Sequence, residues 1–459
     1  MNIVSKADLI VWKKGGAASL LDKLHVPETA QHWMGVEATV DVPTVPSAKS
    51  ASGEAVVLLQ VAAEVEHALL LQYLFAAYSL NATAPPEWGT KLLNIARQEM
   101  AHLITVQNLL RALKAPVHFD REDFPLHPSL YPFPVVLEPL SQVSLAKYVA
   151  AEMPLLDTID AAVQSHVAEI LKIADVAAHQ DVQRVGRIYS HLYWLFRGSD
   201  AAEPGEPWVG FTADPNYSQW HIQAGDFAST AAVADFSTPD EWGLSDDDGS
   251  GMHVDATLPR LSALNAIFTI AAQGEGSATQ KDSHFDQFLK LYDAFAAFEG
   301  SAVLPVATNP ATGSQPIGGG AIMEPTARLL AQLLDVRYEM LLLCLMLGVT
   351  EPKAGPTDTR ANLLGWAVTE MKDRIGLLAR KLATMPLSAE APTNAGAPFE
   401  LLHGPLPQDA RGQWARLKQM IQESDELLTS LGGVATDVLG TATLDDAATR
   451  TLVDSHLGD

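Results

Sequence analysis

Apolar positions recur with a helical period along most of this chain, most strongly in two long runs near its start. The first, LLQVAAEVEHALLLQYLFAAYSL, predicts a helix over residues 53–80 with Ser52 as its N-cap. Pro85-Pro86 opens a second helix, which carries KLLNIARQEMAHLITVQNLLRAL and stops near Lys114, ahead of Pro116. A Pro-rich loop follows. A third helix starts at Ser141 or Ser144 and carries Glu152, and Pro154 should kink or interrupt it. Helical spacing then covers residues 156–177, 182–196, 256–272, 283–298, 325–347, 357–384 and 408–431. Segments 386–406 and the C-terminal tail read as irregular. Residues 198–256 are rich in Gly, Pro, Asp, Ser and Trp and show no long period; a loop of that length is expected to be functional or to act as a lid. The pattern predicts a mostly α protein: a four-helix bundle elaborated with long loops and further C-terminal helices. The expected organisation is an N-terminal arm over 1–50, a bundle over 51–300 with the inserted loop 198–256, and a helical region over 301–459 packed on the bundle.

Several polar residues break the apolar runs, and these carry the chemistry. A carboxylate or imidazole on a buried face is costly unless it is paired or bound to a metal. Glu99 and His102 are three apart in QEMAHL, so both leave the second helix on one face. A Glu-x-x-His facing a Glu on a neighbouring helix is an arrangement that holds two metal ions in a four-helix bundle. On the first helix, Glu66 and Tyr73 are seven apart and share a face, with Glu64 projecting elsewhere. The competing reading for Glu66 is an ion pair with Arg97. Glu152 is the one acid between Ser141 and Pro154, and the proline after it frees the Ala150 carbonyl.

Two segments compete for the fourth helix. Residues 186–191 hold His191 without an acid at the right offset. Residues 270–285 hold Glu275, flanked by glycines, and His284. The candidate ligands are therefore Glu66, Glu99, His102, Glu152, Glu275 and His284, with Tyr73 as a candidate catalytic group that donates to a metal-bound oxygen species or passes an electron. Oxygen and nitrogen donors without thiolate suit two iron ions, with manganese as the alternative, over structural zinc.

Composition narrows the partners. With 30 Lys+Arg against 55 Asp+Glu the net charge is −25, and no basic stripe offsets it, so nucleic acid and anionic membranes are not expected partners. With 47% hydrophobic and 19% charged residues, the chain can bury a large core. The single cysteine, Cys344, lies in an apolar run and reads as a buried thiol in a reducing compartment. The N-terminus lacks the sustained apolar stretch of a signal peptide, and the apolar run Met340–Val349 is too short to span a bilayer. The expectation is a cytoplasmic protein with a small-molecule substrate, and a homodimer is among the states it admits. The tract SDDDGSG at Ser245–Gly251 reads as a solvated turn, because the alternating ligand spacing of a calcium loop is absent.

At these residues the chain resembles a known family. Glu64–Leu80, Glu99–His102 and Glu152-Met153-Pro154 resemble the ferritin-like domain family, and more closely its iminophenyl-pyruvate dimer synthase type from violacein and rebeccamycin pathways. Gln273–Gly276, Ser283–Phe285 and Asn394–Glu400 follow in the same order, so the resemblance covers about residues 50–403. It implies a ferritin-like bundle and an oxidative enzyme, the type enzymes coupling two indole-pyruvate imines. One departure is local. Where the family often has an apolar-Thr-Ile-Pro-Pro pattern, this chain has Ala68-Leu69-Leu70-Leu71-Gln72, which implies a differently shaped pocket beside Glu66.

The leading expectation is a metal-dependent oxidoreductase that uses O2 or peroxide on an amino-acid-derived amine or imine, in secondary metabolism. Glu99 and Glu275 would bridge the ions, His102 and His284 would each bind one, and Glu66 and Glu152 would cap the two ends. Aromatic residues of the inserted loop (Trp208, Phe211, Tyr217, Trp220, with His221) could close over the site or simply pack the loop. The rivals are a ferritin-like protein that binds or oxidises iron without an organic substrate, a scaffold with remnant carboxylates, and a haem enzyme with His179 or His191 as axial ligand. The extensive loops disfavour a storage cage.

Overall fold

The structure, a computed structural model, describes residues 6–13, 42–122, 124, 133, 135–154, 159–175, 185–198, 206–207, 220–242, 260–274, 282–298, 301–313, 320–354, 358–440 and 446–458. Two long helices, α1 (Ala51–Tyr78) and α2 (Pro86–Ala112), pack along each other and form the most extensive helix pair. Apolar residues surround α1 on every side, as in a helix enclosed by neighbours rather than lying at a surface. Its N-cap is Ser50 rather than Ser52: Ser50 is extended, and its Oγ accepts the Gly53 N–H at 3.0 Å. Pro86 occupies the first turn of α2, where its missing N–H has no intrahelical partner to lose.

The second half of the bundle consists of short pieces. These are α3 (Gln142–Glu152), α4 (Ala161–Ile173), α5 (Val185–Arg197), α6 (Leu261–Gly274) and α7 (His284–Ala296). Both predicted start residues of α3 are used, since Ser141 and Ser144 form a reciprocal capping box. α3 ends at Glu152, and Met153 turns extended ahead of Pro154. α3 packs on α7 and α5 on α6, while α1 contacts α5 and α2 contacts both α6 and α7.

The C-terminal region follows as α8 (Pro325–Thr350), α9 (Thr359–Thr369), a π-helical turn (Glu370–Ile375), α10 (Gly376–Leu382) and α11 (Ala410–Leu431). The tail is not irregular as expected. It forms α12 (Gly433–Leu439) and α13 (Ala447–Leu457). Their apolar faces are too short to register as a period, and Gly432 and Gly440, both at positive φ, separate them from what precedes and follows. Arg337 on α8 ties this region together. It is fully buried, and its guanidinium meets Glu370 Oε2 at 2.5 Å and Asp446 Oδ2 at 2.6 Å.

Part of the expected N-terminal arm forms a two-stranded antiparallel ribbon, β1 (Val11–Lys13) with β2 (Val42–Thr44). One cluster of buried apolar side chains runs from Ile10 to Val453. Within the span 198–256, residues 220–242 contain short helical turns, one of which places Trp242 in the core. The tract Ser245–Gly251 lies outside the described residues. Among the described residues, no helix is long and apolar enough to cross a membrane.

Candidate metal centre

The site gathers from four helices, and each helix places its residue for a local reason. Glu66 lies mid-way along α1, and Glu99 and His102 lie one turn apart on α2. Glu152 is the last residue of α3 and His284 the first of α7, where Ser283 caps the helix. All five side chains are buried. Five of the six predicted ligands therefore converge; the sixth, Glu275, lies outside the described residues.

The donor atoms form two overlapping groups, Glu66–Glu99–His102 and Glu99–Glu152–His284, each with its atoms within 4.8 Å of one another. Glu99 belongs to both. Its Oε2 lies 2.8 Å from His102 Nδ1, and its Oε1 lies 2.9 Å from His284 Nδ1. Glu66 Oε2 is 3.4 Å from His102 Nδ1, and Glu152 Oε2 is 3.7 Å from His284 Nδ1. Glu99, the residue expected to bridge, lies between two imidazoles whose ring centres are 5.8 Å apart.

A second layer repeats the same near-symmetry. His102 Nε2 faces Gln273 Oε1 at 2.7 Å, and His284 Nε2 faces Gln98 Oε1 at 2.8 Å. An amide oxygen accepts only from a protonated nitrogen, so both Nε2 atoms carry hydrogen there. The Tyr189 hydroxyl donates a short hydrogen bond to Glu66, and the Tyr73 hydroxyl donates one to Glu152. Tyr73, expected to reach a metal-bound species directly, is thus occupied by a carboxylate and packs against Tyr148 and Phe288. Gly274 lies against the site too: a Cβ there would stand 3.2 Å from Glu152 Oε2.

The electrostatics follow from crowding acids and imidazoles away from water. Burial pushes the Glu66 carboxyl up to about 7, against the hydrogen bond from His102. Burial acts the same way on Glu99, but the His284 and His102 imidazoles outweigh it and hold Glu99 well below the usual carboxylate range. Burial alone would lower His284, but the Glu99 and Glu152 carboxylates raise it to about 9. Glu66 and Glu99 likewise outweigh burial and raise His102 well above its ordinary value.

These residues fit a pair of divalent ions. Glu99 Oε1 and His284 Nδ1 are buried and make no hydrogen bond. Nε2–H bonds to glutamine leave each Nδ1 lone pair for a metal, the usual support for a ligating histidine. Three carboxylates and two imidazoles without thiolate are hard-to-borderline donors suited to iron or manganese.

Other candidates are placed elsewhere. His191 is buried, but its Nε2 meets Glu54 Oε1 at 3.2 Å, and Glu54 also accepts from Trp220 Nε1 at 2.7 Å and the Val45 N–H at 3.1 Å. His191 is not in either donor group. Its helix contributes to the site through Tyr189, two residues earlier. Glu64 projects away, as expected, and bonds His118 Nε2 at 2.7 Å. Arg97 does not pair with Glu66; it donates to Asn94 Oδ1 at 3.0 Å. Of the loop aromatics, Trp220 donates to Glu54, and His221 lies tilted against Trp194, with ring centres 4.6 Å apart. Trp208, Phe211, Tyr217 and His179 lie outside the described residues. Cys344 is buried, and burial pushes its thiol well above the ordinary range, which makes it unreactive.

Dichlorochromopyrrolate synthase of Lentzea aerocolonigenes is 24% identical over 394 residues, a match covering 73% of this chain and 35% of that enzyme. This chain therefore spans about a third of its relative's length. A crystal structure of a ferritin-like protein from Caulobacter vibrioides aligns with a TM-score of 0.38 at 18% identity, covering 68% of this chain and 92% of that one. Residues 59–293 match the family described as Ferritin-like, a span that holds every described donor of the site, and the chain belongs to the ferritin-like family.

Proposed function

We propose that this protein is an oxidoreductase that holds two transition-metal ions, iron with manganese as the alternative, and oxidises a small organic molecule with O2 or peroxide. The observation that carries this reading is Glu99, whose two oxygens face the Nδ1 atoms of two different imidazoles at 2.8 and 2.9 Å. Glu66 and His102 would hold one ion, Glu152 and His284 the other, and Glu99 both. The ions would supply the electrons for reducing the oxidant. An amine or imine derived from an amino acid is the proposed substrate class and secondary metabolism the proposed setting, supported by the synthase named among the relatives.

The chain's own residues do the rest. The bundle keeps water from the donors, since the exposure of Glu66, Glu99, His102 and Glu152 lies between 2% and 5%. Tyr73 and Tyr189 each hold a proton against a terminal carboxylate, so Glu152 and Glu66 are the points where a proton can be passed without opening the site. Gly274 leaves the face of Glu152 uncovered by a side chain.

Elemental analysis and absorption spectroscopy of protein purified without added metal test the assignment. The expected result is up to two iron or manganese ions per chain, lost in Glu99→Ala/His102→Ala while the far-UV spectrum stays helical. Full metal retention in that double variant would sink the proposal. Uptake of many iron atoms per chain into a spherical particle would replace it with iron storage.

A further inference from the structure

A cavity lies between α1, α2 and α8, on the other side of the α1–α2 layer from the carboxylates. Its volume is about 180 Å³, and none of the five metal donors lines it. The walls are mostly aliphatic: Leu70, Leu71 and Leu74 on α1 face Leu341, Leu342 and Leu345 on α8. A dry apolar void of about 150 Å³ accepts a benzene-sized guest, so this one has room for about seven carbons of an acyl chain, with the carbons next to the carboxylate in its open mouth. Rings of Trp242, Tyr338 and Phe399 complete the lining, and between them the branched side chains and the flexible thioethers of Met100 and Met371 adapt to a flexible chain.

The π-helical turn forms one side of the mouth. A π turn is wider than an α turn and is often found where a protein binds something. Here its inner face is fixed, because the buried Glu370 bonds both Arg337 and Arg374, at 2.5 and 3.0 Å. Its outer face gives Met371, Lys372 and Ile375 to the cavity.

The mouth carries three exposed cations, Arg97, Lys372 and Arg380. Arg97 donates to an Asn94 amide, and Arg380 donates to the Gly376 carbonyl and lies over the Tyr78 ring at 5.2 Å. Among the described residues none of the three forms an ion pair with a carboxylate. In a chain of net charge −25, three such cations around one apolar opening make a local positive field. The Tyr78 phenol on the same rim adds a hydrogen-bond donor.

We infer that this cavity binds a medium-chain alkyl carboxylate, with the chain between α1 and α8 and the carboxylate at Arg97, Lys372 and Arg380. The site is separate from the metal centre, and its test does not depend on turnover.

Calorimetry of the full chain with monomeric decanoate, decan-1-ol, decylammonium and phenylacetate decides it. Decanoate should bind once per chain and about tenfold more tightly than each of the other three. Lys372→Glu/Arg380→Glu should weaken decanoate about tenfold and leave decan-1-ol unchanged. Leu342→Trp, which fills the cavity, should abolish decanoate binding while metal content is retained. If that variant does not fold, Met371→Trp at the half-buried mouth serves the same purpose. Equal affinity for acid and alcohol, tighter binding of phenylacetate, or undiminished binding in a filled variant would overturn the inference.

Discussion

Gln98 Oε1 lies 2.8 Å from Nε2 of His284, and this contact keeps a proton on Nε2, so that Nδ1, facing Glu99, is the nitrogen that gives up its proton to an ion. Gln273 does the same for His102 at 2.7 Å. Removing such an outer partner commonly costs about 10–100-fold in metal affinity. Gln98→Leu should therefore weaken one metal position by about that factor, and Gln273→Leu the other. Competition against a chromophoric chelator checks this; unchanged affinity in both variants would mean the amides do not set the tautomer.

Metal uptake should depend on pH. In the metal-free protein His284 titrates near 9 and Glu66 near 7, both raised. Each holds a proton that an incoming ion must displace, so apparent affinity should climb with pH up to about 9, by about tenfold per pH unit for each proton released, two below about 7 and one from there to about 9. The stability of the metal-free fold has the opposite trend. A raised folded-state pKa contributes stability that is present below the unfolded value and lost as pH rises through the folded one. The Glu66 contribution fades from about 4.5 to 7 and that of His284 from about 6.5 to 9. Melting temperatures of metal-free protein should fall across that window, and those of metal-loaded protein should not.

His191→Ala should separate a structural histidine from a ligand. It leaves a buried Glu54, now held near 2 chiefly by His191 against burial, with only Trp220 and Val45 as partners. The expected cost is about 1–3 kcal/mol in urea unfolding, the range for a buried polar group losing a partner. Both metal positions should stay occupied, and anomalous scattering from crystals of the variant reads them directly.

Arg337→Met should be among the most damaging single changes. It leaves Glu370 with Arg374 and Asp446 with the Trp366 N–H in place of a shared guanidinium, and breaking a buried ion pair from one side costs about 3–5 kcal/mol. Replacing Arg374 together with these three by apolar residues of similar volume should recover most of that loss. Denaturant midpoints of the single and quadruple variants check it.

Much of the centre was legible in the sequence because burying a carboxylate or imidazole needs a reason. Glu66, Glu99, His102 and Glu152 each interrupt an apolar helical run, and the helix period alone gives them a common face. The supporting shell was not legible. Gln98 and Gln273 are neutral and common on helices, and Tyr189 reads as one more aromatic in a helix of aromatics. Their roles arise from contacts between residues 123 to 186 positions apart, which no local pattern encodes. The choice between residues 182–196 and 270–285 for the fourth helix was a choice between two true contributors, because the second half of the bundle is built from pairs of short pieces. The π turn at Glu370–Ile375 escaped notice for a different reason: one extra residue in a helical turn leaves the apolar spacing almost unchanged.

That division into long and short helices gives the metal centre one stiff wall and one adjustable wall. Glu66, Glu99 and His102 stand in the interior of 28- and 27-residue helices, where displacing a side chain means shifting a whole packed column. Glu152 and His284 stand at a helix end and a helix start, where the backbone ladder is incomplete and fewer hydrogen bonds resist a small displacement. A change in the distance between the two positions, or in the number of oxygens offered by Glu152, can therefore be absorbed by the short helices while the long pair keeps its register.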